Sequence, residues 1–129
     1  GRMYQTKNGD RARAMLAAAV LDTVERENLL AHITQTGDYF LARLCELSER
    51  YPKLMTEPRG RGLLLAFDLP TPAARDEFLK RALRRGVFAT YTGTRSVRLR
   101  PQLTTSQAEV DLALEVFAHV LMDMNRDRP

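Results

Sequence analysis

Hydrophobic positions along this chain keep two different periods, and the switch between them lies near Pro52. Before it the spacing is helical. Met15, Leu16, Ala19, Val20, Thr23 and Val24 recur every three or four residues behind Asp10, a good N-cap, and predict a helix over about 11–27. Ile33, Tyr39, Phe40, Leu44 and Leu47 predict a second helix over about 29–50, which Pro52 ends. Gly37 sits inside that helix, where glycine costs about 1 kcal/mol relative to alanine. Small residues dominate the first helix, which suits close packing against another element.

After Pro52 the runs shorten. Residues 58–62 are proline, glycines and arginines and read as a loop. Leu63, Leu64, Leu65, Ala66, Phe67 and Leu69 form a short apolar run bounded by such breakers, which predicts a strand rather than a helix. Thr71 followed by Pro72 is an N-cap with proline at the first helical position, opening a helix that reaches Arg85, with Gly86 closing it. Val87, Phe88, Ala89 and Thr90 predict a second strand, 92–95 a turn, and 96–100 a third strand closed by Pro101. A last amphipathic helix begins after Thr105 or Ser106 and turns Val110, Leu114, Phe117, Val120 and Leu121 inward, leaving 125–129 as a polar tail. The fold class this order predicts is α+β: a small three-stranded sheet with helices packed on one face, preceded by two long helices.

Composition narrows the class. A chain of 129 residues with 44% hydrophobic and 28% charged residues is an ordinary globular domain with a modest core. Nothing approaches the roughly 18 consecutive apolar residues of a membrane span, and the start lacks the pattern of a signal peptide. The single cysteine, Cys45, lies between Leu44 and Leu47 on a helical pattern and is expected to be a buried, inert thiol, consistent with a cytoplasmic setting. The net charge of +4 comes from 20 basic against 16 acidic residues, mixed along the helices, as in Arg75, Asp76, Glu77, Lys80 and Arg81. That mixture reads as solvated helix faces with pairs such as Glu77 and Arg81, and no basic run interleaved with aromatics supports nucleic-acid binding.

Candidate chemistry rests on arginines. Arg59-Gly60-Arg61-Gly62 leads into the apolar strand and is either a charged turn or an anion contact; it is not a phosphate loop, since no Lys-Ser/Thr and no helix follow the glycines. In 96–100 strand alternation puts Arg98 and Arg100 on one face and Val97 and Leu99 on the other. Two planar guanidinium groups there are either a carboxylate clamp or a basic edge that discourages aggregation. His32 and His119 lack metal-ligand spacing and suit surface or helix-end roles, and Lys7 lies in a polar turn that would do little to lower its pKa.

Taken together these segments resemble the last third of class III aminotransferases, in the branch of lysine 6-aminotransferase and 4-aminobutyrate aminotransferase. The resemblance is carried by Arg59-Gly60-Arg61-Gly62, Ala66-Phe67-Asp68-Leu69-Pro70, Arg75-Asp76-Glu77, Val97-Arg98-Leu99-Arg100-Pro101-Gln102-Leu103-Thr104, and Ser106, Ala108, Glu109 and Asp111. It implies the small domain of a fold-type I enzyme, with 1–28 a linker helix from the large domain and 29–129 the C-terminal small domain. It further implies pyridoxal 5'-phosphate as cofactor, amino acid and 2-oxo acid substrates, a homodimer, and transfer of the terminal amine of lysine to 2-oxoglutarate. A 4-aminobutyrate or ornithine enzyme is the near alternative. Arg98 matches the family's arginine for the substrate α-carboxylate, or for an active-site glutamate when that carboxylate is absent. Thr6 matches the threonine that reaches the cofactor phosphate in the other subunit's site, although Lys7-Asn8 departs from the usual residues beside it. Arg61 is placed on the small-domain side of the cleft without a catalytic role. The Schiff-base lysine, the aspartate facing the pyridine nitrogen and the stacking aromatic all precede this segment in the family, so the chain alone is expected to be inactive. A free-standing α+β module binding an amino acid through Arg98 and Arg100, or an interaction protein using its arginines, are the readings from other classes.

Overall fold

The computed structural model describes residues 23–127. They form α1 (Thr23–Arg50), β1 (Thr56–Arg61), β2 (Leu64–Asp68), α2 (Pro72–Arg84), β3 (Thr90–Thr92), β4 (Ser96–Leu99) and α3 (Gln107–Arg126). The expected break between two N-terminal helices is absent from the described part. Helix α1 passes without interruption through Glu27, Asn28 and Leu29, where no glycine or proline stops it. Residues 11–22 of the first expected helix, with Met15, Leu16, Ala19 and Val20, lie outside the described residues.

Phe40, Leu44 and Leu47 are the buried stripe of α1, one helical face at i, i+4 and i+7. Cys45 follows Leu44 by one residue, about 100° round the helix, and is therefore exposed rather than buried as expected. Gly37 has a reason to be in the helix: a Cβ there would stand 2.1 Å from the carbonyl oxygen of Gly62. The helix rides directly on the β1–β2 turn, and Gly62 makes that turn with φ +58.

The sheet is antiparallel with order β1-β2-β4-β3, four strands where three were expected. The added strand is β1, read from sequence as a loop because it contains Pro58 and Gly60. The pairing of β1 with β2 shifts register between Thr56 and Arg59, and Glu57 in that bulge has φ 55. Pro58 sits in the same bulge on an edge strand, where its missing N–H removes no ladder bond. Strand β3 begins at Thr90 rather than at Val87, because Val87 N–H is spent closing α2 on the Ala82 carbonyl at 2.9 Å.

Helix ends follow the sequence signals closely. The Thr71 side chain accepts from Ala74 N–H at 3.0 Å with Pro72 opening α2, and Gly86 adopts φ +94 past its end. Ser106 and Glu109 form a capping box at the start of α3. Leu65, Phe67, Val97 and Leu99 alternate onto the buried sheet face, against all three helices. Phe67 from β2 meets Phe78 of α2 edge-on at 5.3 Å and Phe117 of α3 at 6.1 Å, so the core centres on rings from three elements.

Arg75, expected on a solvated helix face, is only 7% exposed. Its Nη1 donates to the carbonyls of Ser96 at 3.1 Å and Thr92 at 3.5 Å, Nε donates to Asp76, and the guanidinium lies 4.9 Å from the Tyr91 ring centroid. The first turn of α2 abuts the β3–β4 hairpin, and Arg75 ties the two together there. Glu77 and Arg81 do form the expected i,i+4 pair, at 2.6 Å on the surface.

Candidate functional site

The helices cover one face of the sheet, and the alternation that buries Leu65, Phe67, Val97 and Leu99 turns the intervening residues to the other. Register fixes who meets whom on this open face. Arg59 pairs with Ala66, Ala66 with Arg98, and Arg98 with Thr90, so these four form one row across the sheet. The adjacent row holds Thr56, Asp68, Ser96 and Thr92, and Arg61 faces Leu64 on the far side of the first row.

Arg98 stands in the middle of β4 on this face and is exposed. The Thr90 hydroxyl donates to its backbone carbonyl at 3.4 Å. Among the described residues, its guanidinium forms no hydrogen bond or ion pair. Arg61, also exposed, forms none among them either. A guanidinium presented on a flat, small-residue floor such as Ala66 is placed to take a carboxylate through two parallel N–H bonds. Arg100 has a different setting: β4 stops at Leu99, and Arg100 lines a groove of about 390 Å³ with Phe88, Pro101 and Gln102.

Beside Arg98's row lies a polar knot that sequence reasoning did not single out. Arg59 Nη1 donates to Asp68 Oδ1 at 3.1 Å and to the Glu57 carbonyl at 2.8 Å, and its Nη2 donates to Ser96 Oγ at 3.3 Å. The Ser96 hydroxyl in turn donates to Asp68 Oδ1, and Arg95 approaches Oδ2 at 4.0 Å. Burial pushes the Asp68 carboxyl up, but the hydrogen bonds from Ser96 and Arg59 and the charges of Arg59 and Arg95 outweigh it, leaving its pKa below the usual 3.8. Alternation could have put Asp68 and Ser96 on Arg98's face; only the pairing of β2 with β4 makes them neighbours.

The other expected residues are scattered. His32 lies in α1 with its Nε2 2.8 Å from the Thr105 carbonyl, a tie between α1 and the loop before α3. His119 is exposed on α3. Thr6 and Lys7 lie outside the described residues, while Lys53 and Lys80 are exposed. Among the described residues no group of His, Cys, Asp and Glu gathers to hold a metal, and no helix is long and apolar enough to cross a membrane.

The chain is similar to known proteins in sequence and in fold. Residues 2–121 match the family model described as Aminotransferase class-III. The chain is 41% identical over 120 residues to the L-lysine-epsilon aminotransferase of Mycobacterium tuberculosis, covering 93% of this chain and 27% of that protein. It is 33% identical over 122 residues to the mitochondrial 4-aminobutyrate aminotransferase of Sus scrofa, covering 95% of this chain and 24% of that one. A solved structure of lysine aminotransferase from M. tuberculosis superposes with a TM-score of 0.75 at 41% identity, over 81% of this chain and 24% of that chain. The chain thus spans about a quarter of the length of the curated relatives it matches. The α+β layer is part of a fold-type I aminotransferase architecture, and the chain belongs to the class III aminotransferase family.

Proposed function

We propose that this chain is the small-domain part of a pyridoxal-phosphate-dependent aminotransferase that moves the terminal amine of lysine to 2-oxoglutarate, and that Arg98 binds the substrate carboxylate. One observation carries the reading: Arg98 is exposed on the open face of the sheet with its guanidinium unengaged among the described residues, while its neighbour Arg59 is engaged with Asp68, Ser96 and the Glu57 carbonyl. A planar guanidinium on an open strand face can take a carboxylate through two parallel N–H bonds. Lysine is preferred to 4-aminobutyrate as donor because identity to the lysine enzyme is 41% against 33%.

The described residues do not fit the anchoring site of the cofactor. Both of their lysines, Lys53 and Lys80, are exposed, whereas a Schiff-base lysine needs a desolvated pocket. The cofactor supplies an electron sink when bound. This chain's part would be binding and orientation: Arg98 would fix the carboxylate end of the substrate, and Thr6, which lies outside the described residues, would contribute to holding the cofactor phosphate in a homodimer. The direct test is an assay of the full-length protein with lysine or 4-aminobutyrate as donor and 2-oxoglutarate as acceptor. Lysine-dependent glutamate formation is expected; preference for 4-aminobutyrate, or no turnover with either, overturns the reading.

A further inference from the structure

Arg59 and Arg98 flank Ala66 in one row of the open face, one on each neighbouring strand. Strand spacing puts their Cα atoms about 10 Å apart, and the small Ala66 side chain leaves the space between them clear. Two long arginine arms so placed would together hold a dicarboxylate lying over Ala66. They do not act as a pair, because Arg59 is drawn out of its row into the next one. Its Nη1 and Nη2 are taken by Asp68, Ser96 and the Glu57 carbonyl. The Asp68 side chain is 13% exposed and supplies the countercharge.

We propose that Asp68 is a specificity-determining residue of this face: by engaging Arg59 it leaves Arg98 to bind one carboxylate alone, and so keeps the site from favouring dicarboxylates. The inference rests on the reading that Arg98 takes a carboxylate. It adds that selection between one-carboxylate and two-carboxylate ligands is made by an acidic residue that never touches the ligand. An enzyme whose donor and acceptor differ in carboxylate number gains from this, because a paired clamp would hold the dicarboxylate at the expense of the other substrate.

The test is a titration of the isotopically labelled 129-residue chain with propionate and with glutarate, followed by the NMR signals of the arginine side chains. Arg98→Gln should weaken both probes. Asp68→Asn, which still accepts from Ser96 but loses the charge, should tighten glutarate about threefold relative to propionate, the size of an exposed ion pair. Adding Arg59→Gln to Asp68→Asn should return the ratio to its starting value. Arg59→Gln alone, independent of any folding defect in the Asp68 variant, should leave glutarate binding unchanged. An unchanged ratio in Asp68→Asn, or an Arg59→Gln chain that loses glutarate as Arg98→Gln does, overturns the role of Asp68. If Arg98→Gln weakens neither probe, the carboxylate reading of Arg98 itself falls and the role of Asp68 with it.

Discussion

If Arg98 binds the substrate carboxylate as proposed, Arg98→Ala in the full-length protein should lower kcat/KM by on the order of 100-fold or more, because losing one partner of a desolvated charge pair costs about 3–5 kcal/mol. Arg98→Lys should recover only part, since an ammonium cannot reproduce the planar fork. Arg100→Ala should cost less, as Arg100 lies past the end of β4. Steady-state kinetics on the three variants ranks them, and a larger loss at Arg100 would reassign the site. Gly37 is a second residue where opposing effects can be weighed. Alanine there should gain about 1 kcal/mol in helix propensity, yet its Cβ would meet the Gly62 carbonyl oxygen at 2.1 Å, a backbone atom that cannot simply swing aside. Overpacking of this kind costs about 1–3 kcal/mol, so Gly37→Ala should be destabilised in urea unfolding. A stabilised variant would show that α1 does not ride on the turn. The misfit of Gly37 was legible in the sequence. Its cause was not, because Gly62 lies 25 positions further on and touches it only through the packing of α1 on the hairpin.

Elements differ in how much of their geometry is local. Helices α2 and α3 carry their own instructions: Thr71 with Pro72, Ser106 with Glu109, and a buried stripe of Val110, Leu114, Phe117 and Leu121. Each signal acts within one or two turns, so each could be read from sequence. Strand β1 has no such autonomy. Its identity depends on pairing with β2 across a bulge that absorbs Glu57 and Pro58, and local composition argued against it. The knot of Asp68, Ser96 and Arg59 spans β1, β2 and β4 and makes stability depend on acid. The Asp68 pKa is lowered in the folded chain, so its contribution is fully present above the usual 3.8 and is lost as pH falls through the lower folded value. Urea midpoints measured from pH 5 downward should therefore fall more steeply below about pH 4 in the parent chain than in Asp68→Asn. Parallel profiles would mean that the carboxylate is not held by its arginines.

For the molecule as a whole, the 129-residue chain alone should show no transaminase turnover, because its described lysines are exposed and it spans about a quarter of its relatives' length. A coupled assay for glutamate checks this, and turnover abolished by Lys7→Ala would overturn it. By itself the sequence determined the α+β class, the caps of α2 and α3, the alternation that puts Arg98 opposite Val97 and Leu99, and the likeness to class III aminotransferases. All of these are set by residues within a few positions of one another, or by the order of such segments along the chain. Only the tertiary structure decided that Arg59 is occupied and Arg98 is not, that Arg75 is buried against the Thr92 and Ser96 carbonyls, that Cys45 faces outward, and that a fourth strand completes the sheet. Each of those depends on strand register or on how closely two elements approach, and such distances arise from the balance of packing across the whole core rather than from any local run of residues.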